Sequence, residues 1–518
     1  MSNPLALAAL LGPATLAAVA LAPHTNRPNA ALRTGRLALA ATIVGVVVSG
    51  LAAIAVALGG TVESPALVFE GLGASLRLDG LSTTMFVMVA LLAVALVRYS
   101  ATYLDGDPRH DAFLRGLVLV VAAVEVLVLS GNLALLFAAW LGTSLALHRL
   151  LLFDPERPGA VAAARKKFVV ARIGDVLLLG AVALLWHHAG TGDLSAVFAS
   201  VSTSPNNTAV QVSAVCLVLA AAFKSAQFPT HGWLVEVMET PTPVSALLHA
   251  GVLNAGVFLV IRTSYVIDQV DIATFLLIGI GATTAAFASV ALLTQPSVKV
   301  ALGYSSVAHM GFMLLVCGTG VYAAALLHLV AHSFYKAHAF LSSASAIDEA
   351  RAADVPLPAR LGHPARVAAS AAIALATYLL LAVVFGVDLL DEPVLLAIGA
   401  ILVLGTTQII APAVDSAAGW GSATRRAVGM AAAVTLSFFI LEAAAHLVLY
   451  NSAAHDGART GAHLALLAAV VIGFGAIVTL QILHPARGSG RRRRALAVHL
   501  RNGLYASAAF DRLVRAHR

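Results

Sequence analysis

The chain has 518 residues, of which 60% are hydrophobic and 11% charged, and its mean hydropathy is +0.90. This composition lies well outside the range of soluble globular proteins, so water is not the main solvent of the fold. The net charge of +7 therefore indicates an interaction with a membrane surface and excludes a nucleic-acid-binding role. Cys216 and Cys317 lie in apolar stretches and support neither a disulfide framework nor a cysteine metal site. No glycine-rich phosphate loop, CxxC pair or haem or flavin signature occurs, so we expect no cofactor in this chain.

Apolar windows long enough to cross a bilayer follow one another along the chain. They predict an all-α polytopic membrane protein with 13–15 transmembrane helices, in a transmembrane domain of residues 1–484 and a basic tail of residues 485–518. The first window lacks a basic n-region and a clear cleavage site, which favours a retained helix over a signal peptide. In chain order, the predicted crossings are residues 4–22, 36–58, 80–99, 112–130, 132–152, 168–188, 209–228, 243–262, 273–293, 298–318, 321–345, 367–387, 393–412, 425–450 and 463–484.

Basic residues in the short loops predict the orientation, because lysine and arginine resist translocation. The loops at 24–36 and 149–167 are rich in them, whereas the loops at 60–80 and 187–208 hold only Arg77. We therefore expect the first pair in the cytoplasm and the N-terminus outside. The tail carries nine arginines, including the run at 491–494, and is expected to be cytoplasmic, beside the anionic lipid of a cell inner membrane.

Lysine is rare in this chain: five lysines stand against 27 arginines. Three of them, Lys224, Lys299 and Lys336, fall within or at the edge of apolar segments. A buried lysine can gain and lose a proton, whereas a guanidinium stays charged. The placement favours proton handling over lysines that reach back to the membrane interface or pair structurally, an alternative that is strongest for Lys299.

Prolines interrupt the apolar pattern after Lys224, at residues 229, 241 and 243. A helix broken in this way frees backbone groups near the membrane interior, as in the ion paths of transporters. His249 and Asn254 follow the break. Glu239 is placed to modulate the charge of Lys224, while Glu236 is as readily explained by a solvated loop.

A second polar concentration lies in the predicted crossing at 321–345. The spacing of four places His328, His332 and Lys336 on one helical face, with His338 slightly off phase. A file of titratable groups about 6 Å apart suits proton hopping. Metal binding is the alternative, since two histidines four residues apart also bind zinc, but no third ligand is evident nearby.

Other ionisable residues inside predicted crossings are costly in hydrocarbon and are functional candidates for that reason. Asp175 follows Arg172 by three residues, so a structural ion pair is at least as well supported there. A possible repeat of the break occurs at 402–420, where Pro412 aligns with Pro229 and Thr407 takes the place of Lys224. The further candidates are Glu125, Asp175, His309, Glu442 and His446.

Several long motifs resemble those of the antiporter-like, proton-translocating membrane subunits shared by respiratory complex I and the Mrp antiporters. They are RIGD at 172–175, KSAQFPTHGWL at 224–234, METPTPVSALLHAG at 238–251, VKVALGYSSVAHMGF at 298–312 and HLVAHSFYKA at 328–337. The resemblance covers about residues 80–350 and implies inverted repeats with broken helices. It also implies proton-path roles for Lys224, Lys299, His328, His332 and Lys336, with His249 beside the break.

Three departures from complex I put its ordinary proton route in doubt. Trp140 is followed by Leu141 where complex I members usually carry glutamate, Thr407 replaces the lysine or glutamate of their twelfth helix, and their long lateral helix is missing. The segments at 247–259 and 303–312 and the short tail instead resemble the membrane subunit of a bacterial inorganic carbon pump. That resemblance implies a partner that holds zinc and is similar to β-carbonic anhydrase, driven by protons or sodium. A redox-complex subunit and a Mrp-type sodium/proton antiporter subunit remain the alternatives.

Overall fold

The computed structural model describes residues 3–23, 30–66, 73–344, 363–387, 393–415, 421–450, 452–454, 460–483, 491–506, 508 and 512. Within these ranges the chain is almost wholly helical, apart from an antiparallel pairing of Val62–Glu63 with Arg77–Leu78 and two isolated bridges. The α-helices are α1 (Leu11–Leu21), α2 (Ala30–Gly59), α3 (Gly80–Tyr103), α4 (His110–Leu129), α5 (Leu133–Leu151), α6 (Pro158–Ala189), α7 (Leu194–Thr203), α8 (Thr208–Lys224), α9 (Gly232–Glu236), α10 (Thr242–Ala250), α11 (Ala255–Arg262), α12 (Ser264–Ile267), α13 (Asp271–Leu292), α14 (Val298–Gly318), α15 (Tyr322–Leu341), α16 (Pro364–Val384), α17 (Pro393–Val414), α18 (Ser422–Leu449), α19 (Gly461–Leu483) and α20 (Arg491–Arg501).

Local sequence signals set several helix ends. Helix α3 begins after Asp79, whose carboxylate accepts a bond from the backbone N–H of Ser82 while the Ser82 hydroxyl accepts one from the backbone N–H of Asp79. The side chain of Asn132 caps α5 by accepting a bond from the backbone N–H of Ala134. Helix α6 starts with Pro158 and ends at Gly190, where φ is 69°, a conformation that glycine adopts at little cost.

The predicted fold class is confirmed. Twelve helices in the described part of the chain are long and apolar enough to cross a membrane. Each of the fifteen predicted crossings coincides with a helix or a helix pair. Twelve of the crossings fall on these twelve helices, and the other three fall on α1, α8 and α15, which are shorter or more polar. The predicted crossing at 243–262 is the pair α10 and α11, separated by a 3-10 turn at Val252–Asn254 and buried along its whole length.

Close backbone contacts hold the centre of the bundle together. Helices α13 and α14 meet at Gly281 and Gly311, where an added methyl group would lie 2.5 Å and 2.7 Å from backbone nitrogens of the facing helix. Small residues of this kind let membrane helices approach each other closely. The two helices therefore form a rigid wall beside the broken pair.

A buried ion cluster lies before α3, at the side of the bundle that the loop charges predict to be outside. Arg262 donates to both carboxylate oxygens of Asp79, at 2.5 and 3.1 Å, and Arg77 donates to Asp79 at 2.7 Å. Burial alone would raise the pKa of Asp79, but the two guanidinium groups outweigh it and lower that pKa from 3.8 to about 2. The cluster anchors α11 to the start of α3.

The second half differs from the expected repeat. Helix α17 continues through Pro412 and ends at Val414, whereas α8 ends at Lys224, well before Pro229. A proline in the last turn removes one backbone hydrogen bond without ending the helix, so the break predicted at Pro412 is wrong. The Thr407 hydroxyl donates to the Val403 carbonyl of its own helix at 2.7 Å. Residues 416–420 of the proposed repeat lie outside the described residues.

Candidate functional site

The break after α8 is an ordered structure. The chain is non-helical from Ser225 to His231, and Ala226 takes a left-handed conformation with φ of 51°. The Ser225 hydroxyl donates to the Leu253 carbonyl of the facing break at 3.3 Å, and a methyl group on Gly256 would lie 2.1 Å from that hydroxyl. The helix break that the prolines predict is thus confirmed. A hydrogen bond joins it to the break between α10 and α11.

Lys224 lies half-buried at the end of α8, against the aromatic ring of Trp140. Its ammonium group is 4.2 Å from the ring centre and 3.5 Å from the Trp140 carbonyl oxygen. The indole nitrogen donates to Asp175 at 2.9 Å, and Arg172 lies 2.6 Å from the same carboxylate. The predicted pair of Arg172 and Asp175 is therefore present, and Trp140 joins it to Lys224. The side chain of Glu239, the carboxylate predicted for this role, lies outside what the structure describes.

Lys166 and Lys167 are the residues that the sequence reasoning missed. The loop predicted at 149–167 ends at residue 157, because Pro158 starts α6, and the two lysines are only 2% and 5% exposed. Lys166 pairs with Glu236 at 2.6 Å, so Glu236, the last residue of α9, has a charged partner, although a third of its side chain is exposed. Lys167 donates to the Ser144 carbonyl at 2.7 Å.

Ser144 links this lysine to the first cluster. Its hydroxyl accepts a bond from Lys167 at 3.1 Å and from Arg172 at 3.0 Å. Contacts therefore run from Lys167 through Ser144 and Arg172 to Asp175, and from there through Trp140 to Lys224. Members of this network come from α5, α6 and α8, so periodicity within one helix gives no sign of it. We call it the α6 network.

The file predicted on α15 is confirmed as a geometric unit. His328 and His332 stack with ring centres 6.3 Å apart, and Lys336 follows fully buried, whereas His338 is exposed. His309 of α14 joins the file, because its Nδ1 lies 2.8 Å from Nε2 of His328 and its ring centre is 5.1 Å from that of His332. We call these four residues of α14 and α15 the histidine file.

Lys336 ends this file on the wall formed by α14. Its ammonium group donates to the Ser305 hydroxyl at 2.7 Å and to the Leu302 carbonyl at 3.3 Å. Neither acceptor is a charged group, so the amine is solvated by neutral dipoles that tolerate both of its protonation states. This is the environment expected of a lysine that exchanges a proton, and it differs from the ion pair at Lys166.

His249 brings the broken helix next to the file. Its ring is fully buried and stacks on Phe340 at 4.4 Å, and neither ring nitrogen has a hydrogen-bond partner among the described residues. The same holds for both nitrogens of His332. Asn254, in the break itself, donates to Ser333 of α15 at 2.7 Å. The break and the file are therefore in direct contact.

Lys299 lines a cavity of about 260 Å³, which we call the vestibule. Its amine donates to the Thr242 hydroxyl at the start of α10, at 3.0 Å. Arg109 and Asp154, which lie 3.7 Å apart, line the same cavity, and Asp154 belongs to the loop at 149–167 that is predicted to face the cytoplasm. Lys299 thus connects an open, charged vestibule to the broken helix.

The remaining candidates lie apart from these groups. Glu442 and His446, one helical turn apart, form a contact of 2.7 Å within α18, but the imidazole is more than half exposed. Glu125 of α4 is buried, and neither of its carboxyl oxygens has a hydrogen-bond partner among the described residues. No group of three histidine, cysteine, aspartate or glutamate side chains in the part of the chain that the structure describes is arranged to hold a metal ion.

A bundle with a broken, fully buried helix pair and lysines at its breaks defines an antiporter-like membrane subunit. The family described as NADH:quinone oxidoreductase/Mrp antiporter, TM, matches residues 130–383, and the complex I chain 5 N-terminus matches residues 71–114. The chain belongs to the DabB family of inorganic carbon transporter subunits within this group. It is 36% identical over 448 residues to the Halothiobacillus neapolitanus protein named probable inorganic carbon transporter subunit DabB2, covering 85% of this chain and 80% of that protein.

A second relative agrees with this placement, and a solved structure shares the fold. The Hydrogenovibrio crunogenus protein named probable inorganic carbon transporter subunit DabB is 43% identical over 259 residues, which is half of each chain. A subunit of the Mrp complex from a Dietzia species has the same fold, with a TM-score of 0.64 and 24% identity, and the alignment covers 97% of this chain and 59% of that one. The chain is therefore a multi-pass membrane protein of transporter type.

Proposed function

We propose that this chain is the ion-conducting membrane subunit of an energy-coupled inorganic carbon pump. The supporting observation is the set of lysines and histidines around the helix break, several of them fully buried, in a chain similar to DabB proteins along most of its length. Protons are the proposed coupling ion. A proton from the vestibule is taken up at Lys299, and the broken helix hands it on to the histidine file.

The chemistry of the path follows from the residue types. Neutral Lys336 accepts a proton and releases it to an imidazole of the file, with no other bond made or broken. His309 and His328 already share a hydrogen bond, so a proton that arrives on one ring can leave from the other. Lysine suits this step, since arginine does not release its proton in a protein.

The α6 network is proposed to couple this movement to structural change. Protonation of Lys224 strengthens its attraction to the Trp140 ring and to the nearby Asp175 carboxylate, while deprotonation loosens both. Because Lys224 ends α8 at the break, such a change acts directly on the geometry between α8 and α11. All five lysines lie before residue 337, so the conduction and coupling groups are concentrated in the first part of the chain.

The partner is proposed to be a DabA-like subunit similar to β-carbonic anhydrase, with zinc in that partner and none in this chain. The partner would hydrate CO2 to bicarbonate, and the ion flow would drive that step in one direction. The complex is proposed to lie in a cell inner membrane with the arginine-rich tail in the cytoplasm. In the second half, the apolar windows of α16 and α19 are only 22% and 17% buried, which leaves surface for lipid or a partner.

The test is growth of cells that lack carbonic anhydrase in ambient air, with this chain expressed alone, with its partner, and with neither. We expect rescue by the pair only. Lys224→Ala and Lys336→Ala should abolish rescue while the complex still assembles, as judged by co-purification of the partner. Failure of the unaltered pair to rescue growth would contradict the carbon-pump proposal. Sodium/proton exchange by this chain with no such partner would favour the Mrp-type alternative.

A further inference from the structure

Helices α1 to α4 enclose a carboxyl group that takes no part in the proposed path. Glu125 of α4 is 0% exposed, and neither of its oxygens has a hydrogen-bond partner among the described residues. The side chain points into a site left open by two glycines. A methyl group added to Gly12 of α1 would lie 3.3 Å from one carboxyl oxygen, and one added to Gly45 of α2 would lie 3.5 Å from the other.

No charged group in the described chain compensates Glu125. Helix α1 carries no ionisable side chain, and the other helices around the site carry theirs near their ends. Asp111, the other carboxylate of α4, lies about 20 Å away along the helix and is itself bonded to Thr34 and Arg115. His249 of α10 lies beyond an apolar gap between α3, α4 and α10. The titratable and charged groups of the packed elements are Arg33, Arg36, Asp79, Arg98, Tyr99, Tyr103, His110, Asp111, Arg115, His148, Arg149 and His249.

An ionised carboxylate without a partner costs several kcal/mol in such surroundings, so the group is retained at lower cost as a neutral acid. A sodium ion would need about five or six oxygen ligands, as its hard-cation relatives do, and the site offers glycine backbone and the ring of Phe86 instead. We propose that Glu125 is a proton-binding site of the α1–α4 unit, separate from the histidine file, and that it exchanges its proton during ion movement.

Polar groups on α2 provide a route for that exchange. Thr42 and Ser49 lie about one turn on either side of Gly45, and both are fully buried on the same face as the glycine. Their hydroxyls donate to carbonyls of their own helix, which leaves the oxygen lone pairs free to accept a proton donor. Further along the same face, Thr34 donates to Asp111 at 2.5 Å. Of the two hydroxyls, Thr42 lies on the side of Gly45 that is nearer to the end of the bundle predicted to be cytoplasmic.

Carbodiimide labelling tests the proton-binding part. Dicyclohexylcarbodiimide adds across a protonated carboxyl group and the adduct rearranges to a stable acylurea, so the peptide gains the whole reagent and nothing leaves. An apolar groove of about 390 Å³ between α1 and α4, lined by Ala122, Ala123 and Val126, lets this hydrophobic reagent approach the part of α4 that carries Glu125. We expect the adduct on Glu125 in membranes at neutral pH, and none on Asp111, which is paired with Arg115.

An access control makes the labelling decisive. The variant Ala123→Cys should react with a membrane-soluble maleimide, which shows that the groove is open. If that cysteine reacts and Glu125 is labelled at acid pH but not at neutral pH, the reagent reaches the site, Glu125 is ionised at neutral pH and the proposal is wrong. The labelling needs no substituted glutamate and no carbon transport, so its result does not depend on the carbon-pump proposal or on the folding of a variant.

The exchange part is tested with Glu125→Gln, which mimics the protonated acid but cannot release a proton. We expect proton movement into proteoliposomes that contain the complex to fall at least about tenfold, with partner co-purification unchanged, and Glu125→Asp to retain part of it. The Lys336→Ala variant should lose ion movement and still be labelled at Glu125. Ion movement at the level of the unaltered protein in Glu125→Gln would overturn the proposal, since the proton would then be only structural.

Discussion

Replacement of Lys336 by arginine separates a proton carrier from a structural cation. The variant Lys336→Arg keeps the positive charge and can still donate to the Ser305 hydroxyl and the Leu302 carbonyl. A guanidinium does not release its proton, however, so the transfer from this position to the histidine file stops. A structural role predicts near-normal ion movement in this variant, whereas the carrier role predicts its loss.

The size of the effect follows from the two hydrogen bonds of the ammonium group. Each hydrogen bond to a charged group contributes about 1.5–3 kcal/mol, so a proton that bypasses this position loses about 3 kcal/mol or more of stabilisation. That raises the barrier enough to slow transport roughly 100-fold. The assay is acidification of proteoliposomes that contain the complex, followed with a trapped pH-sensitive dye.

The matched control is the same substitution at Lys166. That lysine is paired with Glu236 at 2.6 Å, and arginine preserves such an ion pair, so Lys166→Arg should keep most of the transport. Similar thermal unfolding of both variants would show that neither result comes from misfolding. Wild-type acidification rates in Lys336→Arg would refute the carrier role and leave Lys336 a structural cation.

Three further predictions concern the neighbouring groups. Trp140→Phe removes the indole bond to Asp175 but keeps an aromatic face, so transport should fall about tenfold in the same dye assay, and an unchanged rate would mean that the α6 network is not used. His328→Gln should slow proton movement at least about tenfold, because an amide does not titrate, while the bond to His309 can persist; isotope-exchange or dye measurements check this. Asp79→Asn leaves a buried guanidinium unpaired and should lower the free energy of unfolding by about 3–5 kcal/mol. The folded-state pKa of Asp79 is lowered to about 2, so the carboxylate contributes about 2 kcal/mol to the free energy of unfolding. This contribution is complete above pH 3.8 and is lost as the pH falls towards 2. Thermal unfolding of Asp79→Asn should lack this pH dependence.

The features that the sequence predicts well depend only on residues that are close together along the chain. The spacing of four places His328, His332 and Lys336 on one face whatever the neighbours are, and the prolines after Lys224 prevent a continuous helix there. The same reasoning failed at Pro412, because a single proline near a helix end does not decide where the helix stops.

The features that the sequence does not predict depend on which helices become neighbours. Trp140 and Asp175 are 35 positions apart, and His309 and His328 are 19 apart, so no local period brings either pair together. The charge of Lys167 favours a position in a loop, although its side chain points inward from α6 and donates to the Ser144 carbonyl. Without knowledge of the helix packing, a basic residue beside an apolar segment is equally consistent with an interface anchor.

The bond between His309 and His328 has a consequence for how current can flow. In neutral form each imidazole has one N–H, so in their shared bond one ring donates and the other accepts. A proton that enters at one end and departs at the other leaves the bond reversed, and both rings must turn back before a second proton can follow in the same direction. In the proposed path, the pair would therefore pass one proton for each reorientation of its rings. Uncoupled proton conduction would need no such delay between protons, whereas conduction coupled to a reaction in the proposed partner subunit does need one.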